Sequence, residues 1–136
     1  MEINVIEDDL IRNIQHNFSE QYPFLKLQFY RNPHQPGEAS SRREQLSASL
    51  PIEEVTMFHT GGKIDIGQDK TVAEVEADFL HRLGLCVQIM RKAGNIWITT
   101  TDTDQWTLQQ QNDKGREYSR PRTDDLPEDF YLEDVD

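Results

Sequence analysis

The side chains that could do chemistry are scattered along this chain of 136 residues, and none stands at a catalytic spacing. The four histidines are His16, His34, His59 and His81. No two are four apart, the spacing that puts two imidazoles on one helix face for a metal. His16 and His81 fall on the polar faces of predicted helices, where solvation is expected. Nothing in the spacing pairs His59 with a distant acid. Cys86 is the single cysteine, which excludes an intramolecular disulfide and a cysteine zinc cluster. A thiolate nucleophile would need a cation or a helix N-terminus beside it. His81, Arg82 and Arg91 are close in sequence, yet a small apolar filler is the expected role of Cys86.

Two loops come nearest to ligand sites. His59-Thr60-Gly61-Gly62-Lys63 has the glycines of an anion loop, but a strand follows it rather than a helix. A hairpin turn with glycine at positive φ is the expectation. Asp102-Thr103-Asp104 lacks the central glycine and the further oxygens of a calcium loop, with Trp106 and Leu108 at some of those positions. Helix capping is expected there. The chain has no nucleophile elbow, phosphate loop, dinucleotide fingerprint or zinc-protease pair. No catalytic residue, cofactor or metal is therefore expected, and the reading leans away from an enzyme.

Binding residues are easier to nominate. Trp97 and Trp106 lie in a polar stretch, and exposed tryptophans commonly anchor interfaces. The competing role for Trp106 is to fold back and cap the core. Leu126 to Glu133 sets Phe130, Tyr131 and Leu132 among acids. Such a segment orders on a basic, partly apolar groove, or it merely solubilises.

Charge narrows the partners. The net charge is −11, and the last sixteen residues carry −6 of it, with seven acids against Arg122. An acidic surface repels phosphate, so no nucleic acid and no membrane is expected as partner. The expected partner is a protein with a basic surface. A lone cysteine, no apolar run long enough to span a bilayer and no basic leader suggest a cytoplasmic protein.

The elements that must position these residues are expected to form one pattern run twice, at a period near sixty. Ile3 aligns with Ile64, Asn4 with Asp65, Val5 with Ile66, Asp8 with Asp69 and Phe18 with Phe79. A strand over 2–6 leads to a helix over 8–22 with Ile11, Ile14 and Phe18 inward, which Pro23 ends. Glu7, Asp8 and Asp9 would sit in its first turn. Strands follow at 24–31 and 55–59. Between them, 32–50 is a flexible insertion with one short helix near Ser41-Arg42-Arg43-Glu44, apolar only at Leu46 and Leu50. In the second half, a capping box at Thr71 and Glu74 opens a helix that Gly84 closes. A hairpin around Ala93-Gly94-Asn95 and a short helix ending at Gly115 complete it.

The fold class expected is α+β, two β-α-β-β units forming an antiparallel sheet with helices on one face. Residues 1–115 make a single domain with halves near 1–60 and 61–115, and 116–136 an acidic tail. A continuous strand over 55–66 would give a ferredoxin-like order instead, and both remain open at this level. The function expected is non-enzymatic interaction or regulation, through the acidic surface and tail. The alternatives are a small-molecule module or enzyme with a site between the two halves, or a homo-oligomer paired through the threonine-rich strand.

Overall fold

A computed structural model describes residues 1–33 and 42–119. In order they form β1 (Glu2–Val5), α1 (Ile11–Gln21), β2 (Leu25–Tyr30), β3 (Gly62–Asp65), α2 (Val72–Leu83), β4 (Cys86–Ala93), β5 (Ile96–Thr99) and α3 (Leu108–Ser119). Short 3-10 turns lie at Arg42–Glu44, Ile52–Glu54 and Thr101–Thr103. The α+β class stands, with three α-helices among the described residues. The single sheet does not: β1 pairs antiparallel with β3, and β2, β4 and β5 form a separate antiparallel sheet in that order. No continuous strand spans 55–66, so the ferredoxin-like order fails too.

One core holds the layers together. α1 buries Ile11, Ile14 and Phe18, α2 buries Val72, Val75, Phe79 and Leu83, and β2 and β4 supply Leu25, Leu27, Phe29, Val87 and Ile89. These positions follow the helical and strand periods of the sequence. Ile3 and Ile64 face each other across the β1–β3 ladder.

α1 begins later than its acids suggest, and its first turn holds none. Asp9 stays outside, accepting from the Leu10 amide at 2.8 Å and the Asn13 side chain at 2.6 Å. The first helical N–H groups go elsewhere. Ile11 donates to the Leu50 carbonyl and Arg12 to that of Ala48, each at 2.9 Å. Carbonyls far along the chain thus satisfy the first two of the four orphan donors of this helix, and the Leu10 carbonyl takes the Asn13 and Ile14 amides. Residues 42–50 are accordingly tied down: Leu46 is buried, and Leu50 packs against the core.

At the other end of α1, the Tyr22 hydroxyl donates to the Ile66 carbonyl at 2.6 Å. Burial, followed by the charges of Asp65 and Asp69, pushes this phenol from 10.0 up to about 12. The native state therefore holds a proton that the unfolded chain has begun to lose above its ordinary value. The Tyr22 contribution to stability is complete below pH 10 and disappears as pH rises through about 12. Denaturant melts from pH 9 to 11.5, compared with Tyr22→Phe, should show this component in the native chain only.

α2 is the locally encoded element. Thr71 and Glu74 form a reciprocal capping box, and Gly84 ends the helix at φ 62°. Thr71→Ala should lower stability by about 1 kcal/mol, measured by urea denaturation. The carbonyls of Asp104 and Trp106 also receive the Ala73 and Val72 amides, at 2.8 and 3.1 Å.

Three expectations are corrected. Residues 55–59 form no strand. They close the end of α2, with the Thr56 hydroxyl donating to the Leu83 carbonyl at 2.6 Å and the Met57 amide to that of Gly84 at 3.0 Å. His59-Thr60-Gly61-Gly62 is then not a hairpin turn, and the residue at positive φ is His59, at 50°. Gly61 is needed for a close approach, since a Cβ there would stand 2.5 Å from the Val5 carbonyl oxygen.

The third correction concerns α3. Its cap is Thr107, in a reciprocal box with Gln110, rather than Asp102-Thr103-Asp104. Gly115 does not end the helix, which continues to Ser119. A Cβ at Gly115 would lie 2.8 Å from that of Phe24 and 3.1 Å from the Phe24 carbonyl oxygen. Alanine normally favours a helix over glycine by roughly 1 kcal/mol. Here Gly115→Ala should instead destabilise by about 1–3 kcal/mol, measured by thermal melting, because backbone must shift.

Candidate cationic cleft

The outward residues of α1 and β2 meet in a cleft of about 550 Å³. α1 turns Ile11, Ile14 and Phe18 inward, which leaves Arg12, Gln15, His16 and Ser19 as one outward stripe along the cleft. β2 buries Leu25, Leu27 and Phe29 in the core, so Lys26 and Gln28 point the other way. Residues 45–48 form the facing rim, and Trp97 of β5 reaches in from across the sheet. Lys26 is opposite Met90, and Met90 is opposite Thr99, two residues from Trp97 on the same face. The Lys26 ammonium lies 5.0 Å from the Trp97 ring centroid.

The wall is built to hold still. The Ser19 hydroxyl donates to the Leu25 carbonyl at 3.0 Å and the Gln15 amide to that of Leu27 at 2.8 Å. Further along, the Leu46 amide reaches the Phe29 carbonyl at 2.9 Å, and the Arg31 amide reaches that of Glu44 at 2.8 Å. The edge carbonyls of β2 are thereby engaged, and the 44–46 segment is fastened beside the strand.

The electrostatics run against the net charge of the chain. Arg12, His16 and Lys26 line the cleft, and among the described residues no carboxylate lines it. His16 lies 3.1 Å from Glu20 on the exposed side of α1. Among the described residues, neither Arg12 nor Lys26 forms an ion pair. Burial without a counter-charge pulls the Lys26 ammonium below its ordinary value. Cations, amides, hydroxyls and one indole make a surface suited to a carboxylate or phosphate with an apolar group beside it.

The residues nominated from sequence separate in space. Trp97 stands in the cleft, half-buried. Trp106 lies elsewhere, half-buried, with the Arg91 guanidinium 5.7 Å from its ring. Arg91 is itself buried, flanked also by Tyr118 at 5.8 Å and donating to Gln111 at 2.8 Å. Phe130, Tyr131 and Leu132 fall outside the described residues. Cys86 is buried, and desolvation, with a smaller effect of Glu44, pushes its thiol up. That is the reverse of what a nucleophile requires. Among the described residues, no three of His, Cys, Asp and Glu gather as a metal site. Nor, among those residues, is any helix long and apolar enough to cross a membrane.

Arg12, Gln15 and Lys26 went unnominated. Their signal was available, since bases on the outward stripe of one helix and the outward face of the next strand must lie near each other. No protein-family model matches the chain, and no curated protein or solved structure matches it.

Proposed function

We propose that this chain is a non-enzymatic binding protein that engages an acidic, partly apolar peptide segment of a partner in the cationic cleft. One observation carries the reading: Arg12 and Lys26, both without a described ion-pair partner, line the same cleft as Trp97. Ligand carboxylates would take the guanidinium in a fork and the ammonium as a point charge. An aromatic or leucine side chain would lie on the half-buried Trp97 ring. An ammonium already desolvated at rest loses less hydration on binding, so more of its attraction appears as affinity.

The volume also fits a small anion, which makes a small-molecule module the nearest alternative. A second reading keeps the acidic surface as a contact for a basic protein, supported by the concentration of −6 in the last sixteen residues. The sequence correspondence between the halves supports a duplicated unit, since Ile3 and Ile64, aligned in sequence, are direct partners in the ladder.

The test is a titration of the full chain with a fluorescent peptide that sets acids around Phe-Tyr-Leu, read by anisotropy. Phosphate and citrate serve as competitors. Saturable binding that is lost when the peptide acids become amides supports the proposal. Displacement by citrate at lower concentration than the unlabelled peptide would move the assignment to a small anion. No binding of either would overturn it.

A further inference from the structure

We infer that the loop over 53–61 is a second docking surface, where Ile6, Met57 and Phe58 seat the apolar face of a basic amphipathic helix and Glu7, Asp8, Glu53 and Glu54 take its lysines and arginines. The surface shares no residue with the cationic cleft and is tested apart from it.

The loop leaves one place and returns to it. At its start the Glu53 amide donates to the Glu7 carbonyl at 2.8 Å. At its end Gly61 lies against the same strand end, where a Cβ would stand 2.5 Å from the Val5 carbonyl oxygen and 3.4 Å from the Ile6 Cα. Surface loops closed in this way commonly carry binding residues. The crest is fastened as well. The Thr56 hydroxyl donates to the Leu83 carbonyl at 2.6 Å, the Met57 amide to that of Gly84 at 3.0 Å, and the Phe58 amide to the Thr56 hydroxyl at 3.2 Å. His59, at φ 50°, then turns the chain back toward Gly61.

This loop and its root display apolar surface. Among the described residues six large apolar side chains are exposed, and three of them are Ile6, Met57 and Phe58. Single exposed apolar residues are ordinary on a protein surface, whereas a group of them marks a contact surface. Each of the three keeps about half its area in water, at 48, 51 and 53%. The rest of Phe58 and Met57 is held on Gly84, where a Cβ would stand 2.9 Å from the Phe58 Cγ and 3.1 Å from the Met57 Cβ. An aromatic already held in place loses little freedom when a partner covers it. The unbranched thioether beside it adapts to the shape of what it meets.

Charge selects the partner. Residues 1–9 and 53–62 hold Glu2, Glu7, Asp8, Asp9, Glu53 and Glu54 and no lysine or arginine. Glu7 and Asp8 follow Ile6, and Glu53 and Glu54 precede Met57, so acids border the apolar group along both segments. The bond between Glu53 and Glu7 sets two of these residues side by side. Among the described residues, none of the four bordering acids forms an ion pair. The elements that close the loop, β3 and α2, add Lys63 and Arg82, fewer bases than the acids they adjoin. Unpaired like charges around an apolar group favour a partner of opposite sign. A helix with one apolar face edged by lysine and arginine supplies both halves of the match. An acidic peptide or an anionic lipid surface would be repelled.

The probe is a labelled synthetic peptide of leucine and lysine patterned as an amphipathic helix, with the same composition scrambled as control. Both are titrated by anisotropy against the full chain, Phe58→Ala, Ile6→Ser and the pair Glu53→Gln with Glu54→Gln, each checked for folding by thermal melting. Ile6→Ser tests the same apolar group should Phe58→Ala fail to fold. The expected result is saturable binding of the patterned peptide, weakened about tenfold or more by Phe58→Ala and in the same direction by Ile6→Ser. The glutamine pair should slow association at low salt and change little at 1 M salt, where charges are screened beyond about 3 Å. Equal binding by all folded variants would overturn the inference and place the peptide elsewhere on the chain. Equal binding of the scrambled peptide would overturn it in favour of charge attraction alone. Loss in the apolar variants with no effect of the glutamine pair at low salt would overturn the choice of a basic partner.

Discussion

Replacing Arg12 and Lys26 together by glutamate should weaken acidic-peptide binding at least 100-fold. Each charge-assisted hydrogen bond contributes about 1.5–3 kcal/mol. Losing two amounts to roughly 3–6 kcal/mol, and every ~1.4 kcal/mol is tenfold in Kd. Reversed charge adds repulsion to that loss. The Lys26 substitution also removes the cation over Trp97, a contact of about 0.5–1 kcal/mol at such a site. The fold should survive, because Arg12 is exposed and neither cation forms a described ion pair. The measurement is anisotropy with the fluorescent acidic peptide, with calorimetry of both proteins. Unchanged affinity in a folded variant would show that the cleft is not the binding surface.

Phe79→Ala should lower stability by about 3–5 kcal/mol, a large part of the roughly 5–15 kcal/mol that holds a domain of this size. Phe79 is fully buried on α2 and meets the Phe29 ring edge-on, centroids 6.3 Å apart at 83°. That contact joins α2 to β2 through the centre of the core, so the cavity has rigid walls and little chance to collapse. The melting temperature should fall by roughly 10–20 °C. Phe18→Ala on α1 should cost a similar amount, since Phe18 is equally buried and packs on Tyr22 at 5.6 Å. Differential scanning calorimetry of both variants checks this. Losses below about 1 kcal/mol would mean that the core tolerates the vacancy, against the packing described.

Where the signal was local, sequence and structure agree. The box at Thr71 and Glu74, the left-handed Gly84 and the hairpin turn at Gly94 each involve neighbours within a few residues. The inward positions of α1 and α2 follow the helical period. Disagreement arises where a backbone group finds its partner far away. The start of α1 is set by the carbonyls of Ala48 and Leu50, which no local window includes. Val55 to His59 has strand-like composition, but its polar groups serve the end of α2. Gly115 looks like a helix stop and is instead the gap into which Phe24 fits.

The candidate site divides in the same way. Sequence alone determined that helices form around Ile14, Phe79 and Leu108, both ends of α2, the core stripes, the lack of a recognisable catalytic motif and the concentration of acid near the chain end. It also set Lys26 on the outer face of β2 and Arg12 on the outer stripe of α1. Only the tertiary structure decided that these two cations share a cleft with Trp97. That meeting requires β4 to lie between β2 and β5 and residues 45–48 to fasten beside β2. Strand partners are chosen by burial and register over the whole chain, a property that no local window of sequence contains. Net charge could not reveal the cleft either, because a sum of −11 has no position, and affinity depends on where the few cations converge.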